Sequence, residues 1–206
     1  GEGRPLLDDG EARVAPLECS HDWVATLPQI DEVNLCQRDL DRVIEYWRSV
    51  TQLEHSSVAS FARFTLQMMS VGAPAELLAE IQLAAADEVK HAQSAAVILS
   101  ALSGVALSPG ALSLDDLSLE TSRVALIESL ILEACVGETL GVAEITEALK
   151  RCDRELVRSH LAQVLKDEAQ LPVRARSLVE LGAALRQAAV MVDGGHRRAR
   201  KERRAR

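Results

Sequence analysis

Four stretches of the chain place apolar residues three and four positions apart, the spacing that puts side chains on one face of a helix. These stretches cover roughly residues 35–70, 74–102, 119–151 and 154–187. Each apolar stripe is long enough to bury one helix face against a shared core. The pattern therefore predicts four long helices that pack together.

The connections between these helices differ in length. Residues 71–74, Val-Gly-Ala-Pro, form a short stop between the first two helices, because glycine ends helices and proline is tolerated at a helix start. Residues 103–118 lose the helical period and are longer than a connection between adjacent helices needs to be. We therefore expect an antiparallel four-helix bundle with a long crossover between helices 2 and 3.

Residues 1–34 have no helical period and are interpreted as an N-terminal arm that packs on the helical domain, residues 35–192. Within this arm, Asp9 and Gly10 lie between two short pieces that can extend on either side of a turn. The Asp-Gly pair is typical of a tight hairpin. The sequence thus predicts one short hairpin before the first helix.

A single glutamate interrupts the apolar stripe of each predicted helix, and one histidine follows on the same face as the second glutamate. Because burying an unpaired charge is very costly, inward carboxylates indicate a bound cation. Four carboxylates would neutralise two divalent metal ions in a helix bundle. Their spacing also indicates an internal repeat of two helical hairpins. The five residues are Glu54, Glu88, His91, Glu138 and Glu168.

Composition restricts the fold and the class of protein. The chain has 206 residues, of which 48% are apolar and only 2% aromatic, and this favours one all-α domain over a sandwich or barrel of strands. No apolar run approaches the roughly 18 residues of a membrane span. The four cysteines lack the spacing of zinc or redox motifs, and reduced thiols are expected. We expect a soluble cytoplasmic protein, and a removed leader is left open because the sequence begins with glycine.

The charge is distributed unevenly. Residues 197–206 contain seven Lys or Arg and one Glu. The whole chain has a net charge of −8, so the part before residue 197 carries about −14. No aromatic residue is interleaved in this segment for stacking on bases. We interpret residues 193–206 as a basic disordered tail, and nucleic acid is not expected as a partner.

Each glutamate lies in a short motif. The motifs are Glu54-His55-Ser56-Ser57-Val58-Ala59-Ser60-Phe61, Asp87-Glu88-Val89-Lys90-His91-Ala92, Cys135-Val136-Gly137-Glu138-Thr139 and Asp167-Glu168-Ala169-Gln170. Together they resemble the motifs of the ferritin-like superfamily, which includes rubrerythrins, ferritins and di-iron oxygenases. The resemblance covers about residues 40–190 and implies a ferritin-like bundle that holds two iron ions, or manganese. It implies terminal ligands at Glu54, His91 and Glu138 and bridging ligands at Glu88 and Glu168, with Glu133 as the competing choice for Glu138.

The sequence departs from a complete site on the fourth helix. Leu171 stands where a second Glu-x-x-His would place histidine, and Pro172 predicts a kink. The second ion would therefore bind weakly, use another ligand or be absent. His160 lies about 12 Å before Glu168 along the helix, too far to share one ion. His55 is turned by about 100° from Glu54 and is expected to be a neighbour of the site rather than a ligand.

Three functions are compatible with these residues. The leading hypothesis is a non-haem di-iron or di-manganese oxidoreductase that activates oxygen or peroxide. The alternatives are an iron-binding module with ferroxidase activity, or a metal-poor bundle that acts as an interaction protein. We also expect a small-molecule substrate, a separate electron donor and a homo-oligomer. Trp47 and Phe61 flank Glu54 by two turns and are expected in the core, with a cavity border as the alternative.

Overall fold

Helices dominate the computed structural model, which describes residues 4–29, 35–122, 124–126 and 138–168. The helices are α1 (Gln37–Ser70), α2 (Ala75–Ser103), α3 (Glu138–Arg151) and α4 (Glu155–Glu168). The strands are β1 (Leu7–Asp8), β2 (Glu11–Ala12), β3 (Leu17–Cys19) and β4 (Leu107–Pro109). The expectation of a mostly helical chain is confirmed.

The helices α1 and α2 form a long antiparallel hairpin. Gly72 takes a φ of 77°, a left-handed conformation that glycine adopts at little cost. The amide of Ala73 then donates to the carbonyl of Met68 at 3.0 Å, which satisfies a free carbonyl at the end of α1. The predicted stop between the first two helices is therefore present, and it sets α2 against the full length of α1.

Two apolar clusters form the core between these helices. The first joins Trp47 and Val50 of α1 to Ala95, Ile98 and Leu99 of α2 and to Leu107 of β4. The second joins Phe61 and Met68 of α1 to Leu77, Ile81 and Ala84 of α2 and to Leu126. The members of both clusters that belong to α1 lie on its predicted stripe, and they leave a gap along the chain between Val50 and Phe61. The inward glutamate of α1 falls in this gap.

The N-terminal arm contains the predicted hairpin. Strands β1 and β2 pair in antiparallel fashion, and Asp9 and Gly10 between them have φ values of 48° and 85°. Two left-handed residues are what a tight hairpin turn of this length requires. The amide of Leu6, a fully buried residue, donates to the Ser56 hydroxyl at 2.8 Å. This bond attaches the arm to the middle of α1.

A second pair of strands joins the arm to the connection after α2. Strand β3 pairs antiparallel with β4, and buried Ser108 of β4 donates to the carbonyl of Ser20 at 3.0 Å. The sequence did not predict this pair, because strands of three residues are too short to show an alternation.

The helix after this connection does not begin near residue 119, as the sequence predicted. Residues 119–122 are not helical, whereas 124–126 are. The amide of Leu126 donates to the carbonyl of Ser122 at 3.0 Å, and the Ser122 hydroxyl lies 3.5 Å from the amide of Ala125. Ser122 thus occupies the position of a helix cap, and its side chain competes for backbone amides that a longer helix would use.

Helices α3 and α4 form a second hairpin, with the junction at the predicted place. Arg158 donates to the carbonyls of Leu149 and Cys152 at 2.9 and 2.7 Å, which satisfies the end of α3. Helix α4 also packs against α2. The part of the fourth helix beyond Glu168, Leu171 and Pro172, Glu133 and the tail at 193–206 all lie outside the described residues, as does the domain boundary predicted at residue 192.

Across the part of the chain that the structure describes, no helix has the length and apolarity required to cross a membrane.

Candidate metal centre

Glu54, Glu88 and His91 meet in the gap between the two apolar clusters. Glu54 comes from the middle of α1, and Glu88 and His91 lie one turn apart on α2. Their exposed fractions are 1%, 3% and 1%. One ligand atom from each lies within 4.8 Å of the others. The helical spacing that predicted a shared face thus brings three buried metal-ligating groups to one point.

The distances within this group fit an ion better than direct hydrogen bonds. The Nδ1 atom of His91 lies 4.0 Å from Oε2 of Glu54 and 4.0 Å from Oε2 of Glu88. A hydrogen bond between these atoms would require about 3 Å. Two bonds of about 2.0–2.2 Å to one metal ion, by contrast, can span nearly 4 Å between ligand atoms. Within the described residues Nδ1 of His91 makes no hydrogen bond.

Asp167 of α4 determines which ring nitrogen of His91 faces the carboxylates. Its Oδ2 atom lies 3.1 Å from Nε2 of His91 and also accepts a 2.7 Å hydrogen bond from Gln163. A carboxylate only accepts hydrogen bonds, so Nε2 carries the ring proton. The lone pair of Nδ1 then points towards Glu54 and Glu88. Metal-binding histidines are commonly oriented by a carboxylate in this way.

The protonation states agree with this geometry. Burial lowers the pKa of His91 below its usual value and outweighs the opposing hydrogen bond to Asp167. Burial raises the pKa of Asp167, but the hydrogen bonds from Gln163 and His91 reverse this effect and hold its pKa below the usual value. His91 is therefore neutral and Asp167 ionised at neutral pH. A neutral imidazole is the form that binds metals.

His160 lies behind His91 and does not join the group. The Ser94 hydroxyl links the two histidines, since it lies 3.0 Å from the carbonyl of His91 and 2.7 Å from Nδ1 of His160. The ring of His160 packs edge to face on Trp47, with centroids 5.3 Å apart. That His160 and Glu168 lie too far apart to share one ion stays a prediction from the sequence.

The stability of the metal-free protein is expected to depend on His160. Burial, followed by repulsion from His91 once that ring is protonated, lowers the pKa of His160 to about 4. In the unfolded chain this histidine is protonated below about pH 6.5. The contribution of neutral, buried His160 to the free energy of unfolding is therefore complete above that pH and is lost as the pH falls to about 4. We expect a loss of about 3 kcal/mol between pH 7.5 and 4 from this residue.

This expectation can be measured by urea unfolding of His160→Gln, which retains a polar partner for Ser94 but cannot be protonated. The variant should show a flatter dependence of unfolding free energy on pH than the wild type. His21→Gln removes an exposed histidine and serves as the control. Equal pH dependence in the wild type and His160→Gln would contradict the expectation.

Two predicted or neighbouring residues with described side chains, Glu168 and His55, are not part of the group. Glu168 is buried, with 5% of its surface exposed, but it is not one of the three residues whose ligand atoms converge. The side chain of Glu138, in α3, lies outside the described residues. His55 packs edge to face on Trp23 of the arm, 5.3 Å between centroids, and burial lowers its pKa. The roles of Glu138 and Glu168 as ligands stay predictions.

Sequence reasoning did not assign a role to Asp167, Gln163 or Ser94. The signal for Asp167 was the repeated Asp-Glu pair, at residues 87–88 and again at 167–168. Asp167 is turned by about 100° from Glu168 on α4, so it lies off the apolar stripe that drew attention to the glutamate. Gln163 precedes Asp167 by four residues and can reach it because both lie on one helix face.

Comparisons with protein-family models, with curated proteins and with solved structures found no match. The function is therefore inferred from the residues of this chain alone.

Proposed function

We propose that the protein is a non-haem oxidoreductase that binds iron or manganese through Glu54, Glu88 and His91. The observation that supports this proposal is the buried Nδ1 lone pair of His91, 4.0 Å from both glutamate oxygens. The two carboxylates and this lone pair belong to one buried group. A divalent cation between them would be bound by all three side chains.

The donor set favours iron or manganese. Carboxylate oxygens suit hard ions such as manganese, and imidazole nitrogen suits iron, so a site with two oxygens and one nitrogen serves both metals. When bound, such a metal supplies one-electron chemistry towards oxygen or peroxide. The chain itself contributes three functions. Asp167 holds the proton at Nε2 of His91, the two glutamates supply negative charge, and the two apolar clusters exclude water.

We include in this proposal the ferritin-like four-helix arrangement and a second ion. Glu168 supports it, because it is a buried carboxylate on α4, next to the residue that orients His91. Helix α4 also packs on α2. The same contact is expected in a four-helix bundle in which Glu168 faces the interior. The second ion would use Glu168 and Glu138. A separate electron donor and a homo-oligomeric state stay predictions from the sequence.

The proposal is tested by metal analysis of protein purified from cells supplied with iron and manganese. We expect at least one equivalent of iron or manganese per chain, and about two if the second site is complete. Absence of both metals, together with no increase in thermal stability when ferrous or manganous ions are added, would reject the proposal.

Oxygen consumption by the metal-loaded protein then separates two kinds of oxidoreductase. Rapid consumption with ferrous iron alone indicates a ferroxidase. Consumption that begins only when an organic substrate and an electron donor are added indicates an oxygenase. A loaded protein that consumes neither oxygen nor peroxide under either condition would contradict an oxidoreductase function.

A further inference from the structure

A cavity of about 270 Å³ lies beside α1, on the side of the site towards the second apolar cluster. Its walls come from α1, the N-terminal arm and the segment that leads into the helix after Ser122. Phe61, which also packs in the second apolar cluster, contributes one wall. The alternative that Phe61 borders a cavity is therefore confirmed, whereas Trp47 does not line this one.

Two guanidinium groups face the cavity. Arg4 of the arm stacks on Phe61, with Cζ 4.4 Å from the ring centroid, and this stacking holds its position. Arg63 of α1 donates from Nη1 to the carbonyl of Leu7 at 2.8 Å. Among the described residues no carboxylate lies within ion-pair distance of Arg63, which leaves its remaining donors for another group.

The acidic residue of the cavity accepts a hydrogen bond from the backbone. Glu120 is exposed to solvent, and its Oε1 atom accepts a hydrogen bond of 2.6 Å from the amide of Ser122. Solvent screens a carboxylate in this position. The lining also includes the rings of Phe61 and Phe64 and the side chain of Leu126. The cavity therefore combines the guanidinium of Arg63 with aromatic and apolar groups.

We propose that this cavity is a binding site for a small organic carboxylate with an aromatic or apolar body. Arg63 would pair with the carboxylate, because a guanidinium presents two parallel donors that match a carboxylate. Phe64 and Leu126 would cover the apolar body. A pocket with many apolar walls and a few placed polar groups is typical of small-molecule sites. A free phosphate would leave the aromatic wall without a partner.

The cavity is close to the metal centre along α1. Phe61 follows Glu54 by seven residues on the same helix face, which places it about 10 Å further along the axis. Binding at the cavity needs no metal ion, so the proposal stands apart from the proposed oxidoreductase function. A metal-free sample tests it without reference to the outcome of metal analysis.

Isothermal titration calorimetry of the full-length, metal-free chain with 3-phenylpropionate tests the proposal. We expect saturable binding, with 3-phenylpropionamide, a neutral compound of the same shape, at least about fivefold weaker. Arg63→Gln should weaken binding of the acid by about tenfold. Arg38→Gln removes an exposed arginine near the start of α1 and should leave the affinity unchanged.

Several outcomes would overturn the proposal. They are no saturable binding of the acid to the wild type, equal affinity for acid and amide, or an Arg63→Gln variant that is folded by circular dichroism and binds as the wild type does. An equal loss in Arg38→Gln would also overturn it, because the effect would then come from overall charge. The comparison of acid with amide uses only wild-type protein. It therefore tests whether the carboxylate is recognised even if Arg63→Gln does not fold.

Discussion

Replacing Glu88 by glutamine is expected to abolish the proposed binding of a metal ion. The amide keeps the size of the side chain, but it lacks the negative charge and offers a much weaker ligand. Glu88 also lies one turn from His91 on α2, so its loss leaves an imidazole and a single carboxylate. We expect the affinity for ferrous or manganous ions to fall by at least about 100-fold, the upper end of the effect seen even for supporting residues.

Metal analysis after equilibrium dialysis measures this change, and circular dichroism shows whether the helices persist. Glu76→Gln is the matched control, because Glu76 lies on the same helix and is exposed. It should bind metal as the wild type does. Metal content that is equal in Glu88→Gln and the wild type would place the ion elsewhere in the protein and reject the assignment of Glu88.

Replacing Asp167 by asparagine is expected to weaken metal binding without removing a ligand. The asparagine amide can turn its NH₂ group towards Nε2 of His91, and the ring proton would then move to Nδ1, the atom that faces the glutamates. This change places a proton where the metal ion should bind. Loss of such a supporting carboxylate commonly lowers metal affinity by about 10–100-fold.

Calorimetric titration with manganous ions measures this effect, and two further variants interpret it. Asp153→Asn removes a carboxylate with 94% of its side chain exposed, in the turn between α3 and α4, and should have no effect. Asp167→Glu retains an acceptor and should restore part of the affinity. Full affinity in Asp167→Asn would show that the bond between Asp167 and His91 serves only to pack α4 on α2.

The sequence was most informative where a regular pattern was interrupted. The stripes of α1 and α2 placed Glu54, Glu88 and His91 on inward faces, and the structure brings these three residues together. This was predictable because two long helices in one hairpin have little freedom in how their faces meet. A charged residue among apolar neighbours on such a face therefore indicates a binding site.

The features that escaped prediction depend on contacts between distant parts of the chain. Strands β3 and β4 are each defined by their partner, since three residues carry no periodic signal of their own. Asp167 has a role only because α4 brings it to His91, a contact that no pattern within α4 encodes. The start of the helix after β4 was misjudged because Ser122 can serve equally as a helix residue or as a cap.

A single hairpin provides all three candidate ligands, and this has a consequence for the order of assembly. Helices α1 and α2 are joined by a short turn, and contacts of this local kind form early because closing a short loop loses little chain entropy. Glu54, Glu88 and His91 can therefore meet before α4 arrives. The docking of α4 then supplies Asp167, which selects the tautomer of His91. Completion of the fold is in this way the step that makes the centre fit for a metal ion.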